Sequence, residues 1–486
     1  MSSDNFLKLI LDTEEWQNFE CKRAAVKPVK LLETAVAFAN SDGGFLVIGL
    51  EDPQKVKGNK RLIGISESPD NVSEFLKLLE KEITPPLKQH SHIWLEIKNI
   101  HGNDDHLLVV NIKKSTDIHS LKHGDTFVRR GRQNVKLTAE EIVRLKYQKG
   151  SIKFEDEIPG QVSFDDLNAE LLQKYMANNQ SKGRDKWQFL KDNGLAVKQG
   201  RGFKLTNSGV LLFAKNPSIS LGRKCNIKIS RYYGIKPSFS GKPNFVHRPI
   251  TIEGPLISQI QQALQYFQDL VRNSPPKLIG ASFQPSMLIP EWVFQEAVVN
   301  AVIHRDYSVQ DDIQIRIFDN RIEIESPGTY PGHITVSNIR SERFARNPII
   351  LRTLNRFKDA PNLDIGEGVD RMFYVMQESN LYEPLYIPPS FRPNSVLVVL
   401  YNLQKVEYWD TVSNYLDKNF KITNAEVRKI TGIKDTLRAS RLLKSWTEKG
   451  LLERTGGRSK KVAYYRKPGV EPPMSLFSTG DENKTE

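Results

Sequence analysis

The stretch Glu15-Trp16-Gln17-Asn18-Phe19-Glu20-Cys21-Lys22 brings carboxylates and a lysine within eight positions. If Asn18–Lys22 is a strand, Asn18, Glu20 and Lys22 share one face while Phe19 and Cys21 share the other. Glu15 stands one short segment upstream, and Asp52 ends the apolar run that begins at Phe45. Three carboxylates beside a lysine supply hard oxygen ligands for Mg²⁺ or Mn²⁺, which polarise a phosphoryl group and acidify an attacking water. Lys22 would then steady the developing charge. The same letters also describe charged strand ends with a structural or solvated role. A second constellation lies in Gln295–Tyr307, where Glu296, Asn300 and His304 recur at four-residue spacing on an otherwise apolar helix. These groups either face a ligand or join Arg305 and Asp306 in a buried network. Gly366 and Gly368, two apart, could cradle a phosphate through backbone N–H groups or simply cap a turn.

The elements that must hold these groups divide the chain. Lys30–Asn40 repeats apolar residues every three or four positions and then turns at Asp42-Gly43-Gly44 into the strand Phe45–Leu50. Strands HIWLEI, HLLVVNI and TFVRR follow, so residues 1–148 read as an α+β domain. The polar stretch 149–163 suits a linker, and 149–249 forms a middle α+β region. Residues 250–402 run helix, helix, then alternating strands, again α+β. Residues 403–467 read helix, helix, helix, hairpin, the order of a winged helix-turn-helix, and 468–486 form a polar tail expected to be disordered. The fold class is therefore α+β and multidomain.

The charge is unevenly spread. The 486 residues hold 70 Lys and Arg against 57 Asp and Glu, a net +13. Lys405–Lys467 alone holds 16 against 7 and so carries +9 of it. In its third helix Ala439, Leu442, Leu443 and Trp446 recur at core spacing, while Arg438, Arg441 and Lys444 fall outside that stripe. Arg458, Lys460 and Lys461 sit in the wing. Such cations give salt-dependent affinity for a phosphate backbone rather than sequence readout, and nucleic acid is the expected partner. The bland alternative is a docking or homo-oligomerisation module with solvated charges. Cys21 and Cys225 form no Cys-x-x-Cys pair, which argues against a disulfide framework or thiolate zinc site and fits the cytoplasm. No apolar run approaches the roughly 20 residues that span a bilayer, so export and membrane insertion are not expected.

The strings Glu15-x4-Glu20-Cys-Lys22, AFANSDGGFLVIGLED and TFVRRGRQN resemble the Schlafen-type, AlbA-like nucleic-acid-binding domain. Its nuclease-active members cut RNA, tRNA in particular, with a three-carboxylate site. That resemblance puts the triad on Glu15, Glu20 and Asp52, and phosphate contacts on Arg129 and Arg130. EAVVNAVIHRDYS, IRIFDNRIEIESPG and GEGVDRM resemble the RecG-related, GHKL-like ATPase region of predicted transcriptional regulators. It implies a general-base role for Glu296, a Mg²⁺-holding role for Asn300, and ATP as a cofactor. The adenine-recognition Asp-x-Gly-x-Gly of GHKL ATPases is replaced by Ser326-Pro327-Gly328, which speaks against adenine readout. No Gly-Lys-Ser/Thr phosphate loop is present in the sequence, so helicase activity is not expected. The leading expectation is a nucleic-acid-binding protein, RNA or DNA, with a divalent-metal-dependent endonuclease activity in stress or anti-phage defence. The rival is a DNA-binding transcriptional regulator that senses a nucleotide and has no catalysis.

Overall fold

The computed structural model describes residues 3–468 apart from 14, 161, 182, 239–240, 276, 280–281, 285, 362–365, 388, 390, 420 and 456–463. In the N-terminal domain strands β1 (Phe19–Lys22), β2 (Gly44–Ile48), β3 (His90–Lys98) and β4 (Asp104–Ile112) form a sheet in the order β1-β2-β4-β3. β1 runs parallel to β2, and the other pairs are antiparallel. Strand alternation feeds two cores. Leu46, Ile48, Leu108, Val110 and Ile112 pack on helix α1 (Pro28–Asn40), while Phe45, Val47, Leu107 and Val109 pack on Phe6 and Ile10 from the N-terminal helix Ser3–Asp12. α1 starts on Pro28, which fixes φ where an N–H has no helical partner, and presents Leu31, Leu32, Ala35, Val36, Phe38 and Ala39 as a buried stripe. Each such large side chain contributes roughly 1.5–3 kcal/mol on burial. Gly43, at φ +79°, ends the helix, its N–H donating to Phe38 O. Asn40 is buried beyond the stripe and donates to the carbonyls of His119 and Phe127, tying strand β5 (Phe127–Arg130) to the helix.

The boundary expected at 249/250 runs through one sheet. Strands β6 (Ile227–Arg231) and β7 (Ile250–Ile252) join β8 (Ile313–Ile317), β9 (Arg321–Pro327), β10 (Leu385–Tyr386) and β11 (Ser395–Tyr401) in the order β7-β6-β8-β9-β11-β10. Helices α2 (Leu256–Asn273) and α3 (Glu291–Ile303) cover it, and one buried cluster extends from Phe154 to Leu400. The 149–163 stretch is pinned as well. Glu155 is fully buried and accepts from the N–H groups of Ile349 and Ile350 at 3.0 Å, capping the helix Pro348–Asn355.

Helices α5 (Trp409–Asn419), α6 (Asn424–Thr431) and α7 (Thr436–Glu448) are followed by an antiparallel pair, β12 (Glu453–Thr455) and β13 (Tyr464–Arg466). Their core also takes in Leu397, Val399 and Tyr401 from β11, whose alternate residues Val398 and Leu400 face the middle core. One strand thus serves two cores, and the expected boundary at 402/403 passes through a shared interior. The wing cations Arg458, Lys460 and Lys461 and the tail 469–486 lie outside the described residues. Among the described residues no helix is long and apolar enough to cross a membrane.

Candidate functional site

β1 forms where the alternation predicts it. Phe19 and Cys21 enter the core with Val47, leaving Glu20 and Lys22 together on the opposite face. Glu20 is 3 % exposed. One of its carboxylate oxygens pairs with Lys22 Nζ and the other with Arg129 Nη2. Glu15 Oε1 accepts the Cys21 N–H at 3.0 Å and lies 3.6 Å from Lys22 Nζ. Burial, joined by the Glu20 charge, raises the Glu15 carboxyl above its ordinary value against the pull of Lys22; Asp52 adds a smaller push. Burial disfavours the Lys22 ammonium, but Glu20 and Glu15 outweigh it and hold Lys22 above its ordinary value. Asp52 does not end the strand. β2 stops at Ile48, the chain swings through Gly49 at φ +95°, and Asp52 follows in a loop where its Oδ1 accepts the Gln54 N–H at 2.8 Å. Among the described residues no three His, Cys, Asp or Glu side chains are grouped to hold a metal ion. With both Glu20 oxygens held by cations, the residues as arranged do not fit a resident divalent ion.

Arg129 corrects the expectation of a phosphate contact. Its side chain is 0 % exposed, donates to Trp16 O at 3.0 Å and to Asn134 Oδ1 at 2.9 Å, and stands 5.4 Å from the Phe38 ring centroid. It positions Glu20. The alternation in β5 carried this signal, since Phe127 and Arg129 share the inward face while Arg130 points out. Arg130 is exposed and paired with Glu141 at 2.9 Å. On α7 the expected phase holds. Ala439, Leu443 and Trp446 are buried, and Arg438, Arg441 and Lys444 are exposed. Arg438 pairs with Glu407 at 2.9 Å and Lys444 with Glu448 at 3.6 Å. Sequence reasoning missed Lys114, whose Nζ crosses from the N-terminal domain to the carbonyls of Tyr330 and Ile334 at 3.0 and 2.9 Å. No periodicity marks it, because it lies just past the end of β4.

The middle constellation converges. A cavity of about 660 Å³ between α3, the sheet and helix α4 (Gly368–Glu378) is lined by Glu296, Asn300, His304, Gly366 and Gly368 together. Asn300 Nδ2 donates to Glu296 Oε1 at 2.9 Å, and burial raises the Glu296 carboxyl against that bond. Burial lowers His304 to about 4, and its Nδ1 has no hydrogen-bond partner among the described residues. At Gly368 a Cβ would fall on Glu296 Oε1, so any larger residue there would push the Glu296 carboxylate aside. Gly366 sits at φ +71° with Arg343 laid against it. α4 begins without a side-chain cap, so its first N–H groups open toward the Gly366–Gly368 end, where Arg343 and Arg371 also line the cavity. These residues fit a phosphate-bearing ligand at that end. The sheet contributes apolar Ile324, Val396 and Val398 to the lining, and Ser326 Oγ already donates to Ala301 O at 2.7 Å. Ser326 stands where the resemblance to GHKL ATPases would put the adenine-pairing Asp. Arg305 and Asp306 turn away into structural contacts, Arg305 to backbone carbonyls and Asp306 to Arg346 at 3.1 Å.

The Schlafen, AlbA_2 family matches residues 15–138, a span that contains Glu15, Glu20, Lys22, Asp52, Arg129 and Arg130. The family described as putative ATP-dependent DNA helicase recG C-terminal matches residues 310–400, beginning just after α3. No curated protein matches the chain. Among solved structures, the DIP2311 protein from Corynebacterium diphtheriae is 18 % identical and covers 96 % of each chain at a TM-score of 0.40. The N-terminal domain of a putative ATP-dependent DNA helicase RecG-related protein from Nitrosomonas europaea is 20 % identical. It covers 24 % of this chain and 74 % of that one, at a TM-score of 0.19.

Proposed function

We propose that this chain, which carries a Schlafen AlbA_2 domain and a RecG C-terminal HATPase-like domain, is a nucleic-acid-binding regulator that holds a nucleoside phosphate in its middle cavity. The two domains suggest nucleic-acid binding. The observation that carries the nucleotide reading is the convergence of Glu296, Asn300, His304, Gly366 and Gly368 on one cavity from two separate stretches of sequence. Mg²⁺, when bound with the nucleotide, would neutralise phosphate charge; Asn300 and Glu296 are the side chains placed to meet it. The exposed face of α7, closing a three-helix and hairpin unit read as a winged helix, supplies cations for phosphate contact. Because Ser326 stands where the GHKL pattern has its adenine-pairing Asp, ATP and GTP should bind with similar affinity. Calorimetry with ATP, GTP and ADP in Mg²⁺ tests this, with Gly368→Ala as the cavity-filling control expected to lose the heat. Absence of heat and of thermal shift with all three nucleotides would sink the reading.

The second reading, a divalent-metal-dependent endonuclease with a defence role, is favoured by one observation. Lys22 Nζ reaches both Glu20 and Glu15, so two of the three carboxylates gather round one ammonium, and a metal arriving with the substrate would have to displace Lys22 or Arg129 from Glu20. Incubation with labelled tRNA, single-stranded DNA and duplex DNA in Mn²⁺, Mg²⁺ or EDTA separates the two. Metal-dependent cutting that Glu20→Gln and Asp52→Asn abolish establishes the nuclease; shifted, uncut duplex supports the regulator.

A further inference from the structure

The N-terminal sheet ends at β3, and among the described residues nothing pairs with its outer edge. An open edge offers a row of unpaired N–H and C=O groups, so edge strands of solitary domains are commonly short, bulged, or broken by Pro or by inward charges. β3 has none of these features. It runs nine residues in uninterrupted register with β4 and contains no Pro. Its lysine, Lys98, is held by Asp104 at 3.1 Å. Along the strand Ile93, Leu95 and Ile97 turn to the core, while His92, Trp94 and Glu96 stand exposed on the other face, Trp94 at 46 %. The His92 and Trp94 rings meet edge to face at 6.3 Å.

We infer that β3 pairs with β3 of a second copy of this chain, antiparallel about a two-fold axis through Trp94. The letters of the strand fix that register. An axis at Trp94 sets Trp94 against Trp94, and His92 against Glu96 of the second copy on both sides of the axis. The core-side residues Ile93 and Leu95 also fall opposite one another. Moving the axis to Leu95 sets His92 against Lys98 and breaks both imidazole–carboxylate pairs. The two four-stranded sheets then become one of eight strands, with main-chain bonds giving affinity and the exposed face giving register.

Sedimentation velocity of the full chain across the micromolar range tests the pairing. Wild type should move from protomer to dimer with rising concentration. Glu96→Lys should weaken association about tenfold, because two pairs are lost and two cations are set against the imidazoles. The exchange variant His92→Glu, Glu96→Lys should restore it, which a general loss of fold would not allow. Trp94→Glu, placing two carboxylates on the axis, should leave protomer alone, with an unchanged circular dichroism spectrum. A single protomer mass at every concentration overturns the inference. So does a dimer indifferent to both Glu96→Lys and Trp94→Glu.

Discussion

At the scale of single residues, the contrast between Arg129 and Arg130 measures what burial does to a cation. Arg129→Ala strips Glu20 of a buried partner, leaves Asn134 Oδ1 without a donor and leaves Trp16 O with only the long Phe19 N–H bond of 3.4 Å. Loss of one member of a buried pair costs about 3–5 kcal/mol, so the denaturant midpoint should fall sharply. Arg130→Ala removes an exposed pair worth about 0–1 kcal/mol and should be nearly silent. His304 makes a pH prediction. Its folded value, about 4, lies below the ordinary 6.5, so between these limits the unfolded chain binds a proton that the folded chain does not. Stability from this group is present above about pH 6.5 and is lost as pH falls toward 4. Glu155 acts with the opposite sign, since burial lifts its carboxyl to about 7 and its contribution is lost as pH rises through that value. The measurement is therefore a difference: urea melts of wild type minus His304→Gln should show a gap that grows with pH between 4 and 6.5.

At the scale of elements, β11 decides how the C-terminal unit can be tested. Deleting everything after Asn402 would expose Leu397, Val399 and Tyr401, so lost binding could reflect a damaged sheet. Replacing Arg438, Arg441 and Lys444 by Ala keeps Ala439, Leu443 and Trp446 in the core. The triple variant should bind duplex DNA more weakly and reduce the slope of log K against log salt by about 2–3, about 0.9 per phosphate contact removed. An unchanged slope would move the nucleic-acid surface away from α7.

At the scale of the whole molecule, Lys114 joins the two largest parts. Its ammonium donates to Tyr330 and Ile334 while lying 3.8 Å from Asp42, on a side chain 9 % exposed. The segment it grips also supplies Tyr330, Ile334 and Arg343 to the middle cavity, so the proposed ligand and the N-terminal domain would bear on the same stretch of chain. Lys114→Met should cost about 1–3 kcal/mol, the price of leaving buried carbonyls unpaired. In calorimetry it should also separate the unfolding of the N-terminal domain from that of the middle sheet. A single unshifted transition would mean that the contact carries no coupling.

The sequence determined what repeats locally. The two-residue alternation of Phe19–Lys22 put Glu20 and Lys22 on one face, the helical period put Glu296, Asn300 and His304 in line, and the apolar stripe of α7 faced its cations outward. Side-chain direction follows backbone period, and period is written in the order of letters. Tertiary structure alone decided which faces meet. It brought Arg129, more than a hundred positions away, onto Glu20, and it placed Gly366 and Gly368 against Glu296. It also moved Asp52 into a loop and merged the expected domains by giving each face of β11 to a different core. These outcomes depend on long-range packing and on the cost of burying a charge without a partner, which no local pattern encodes.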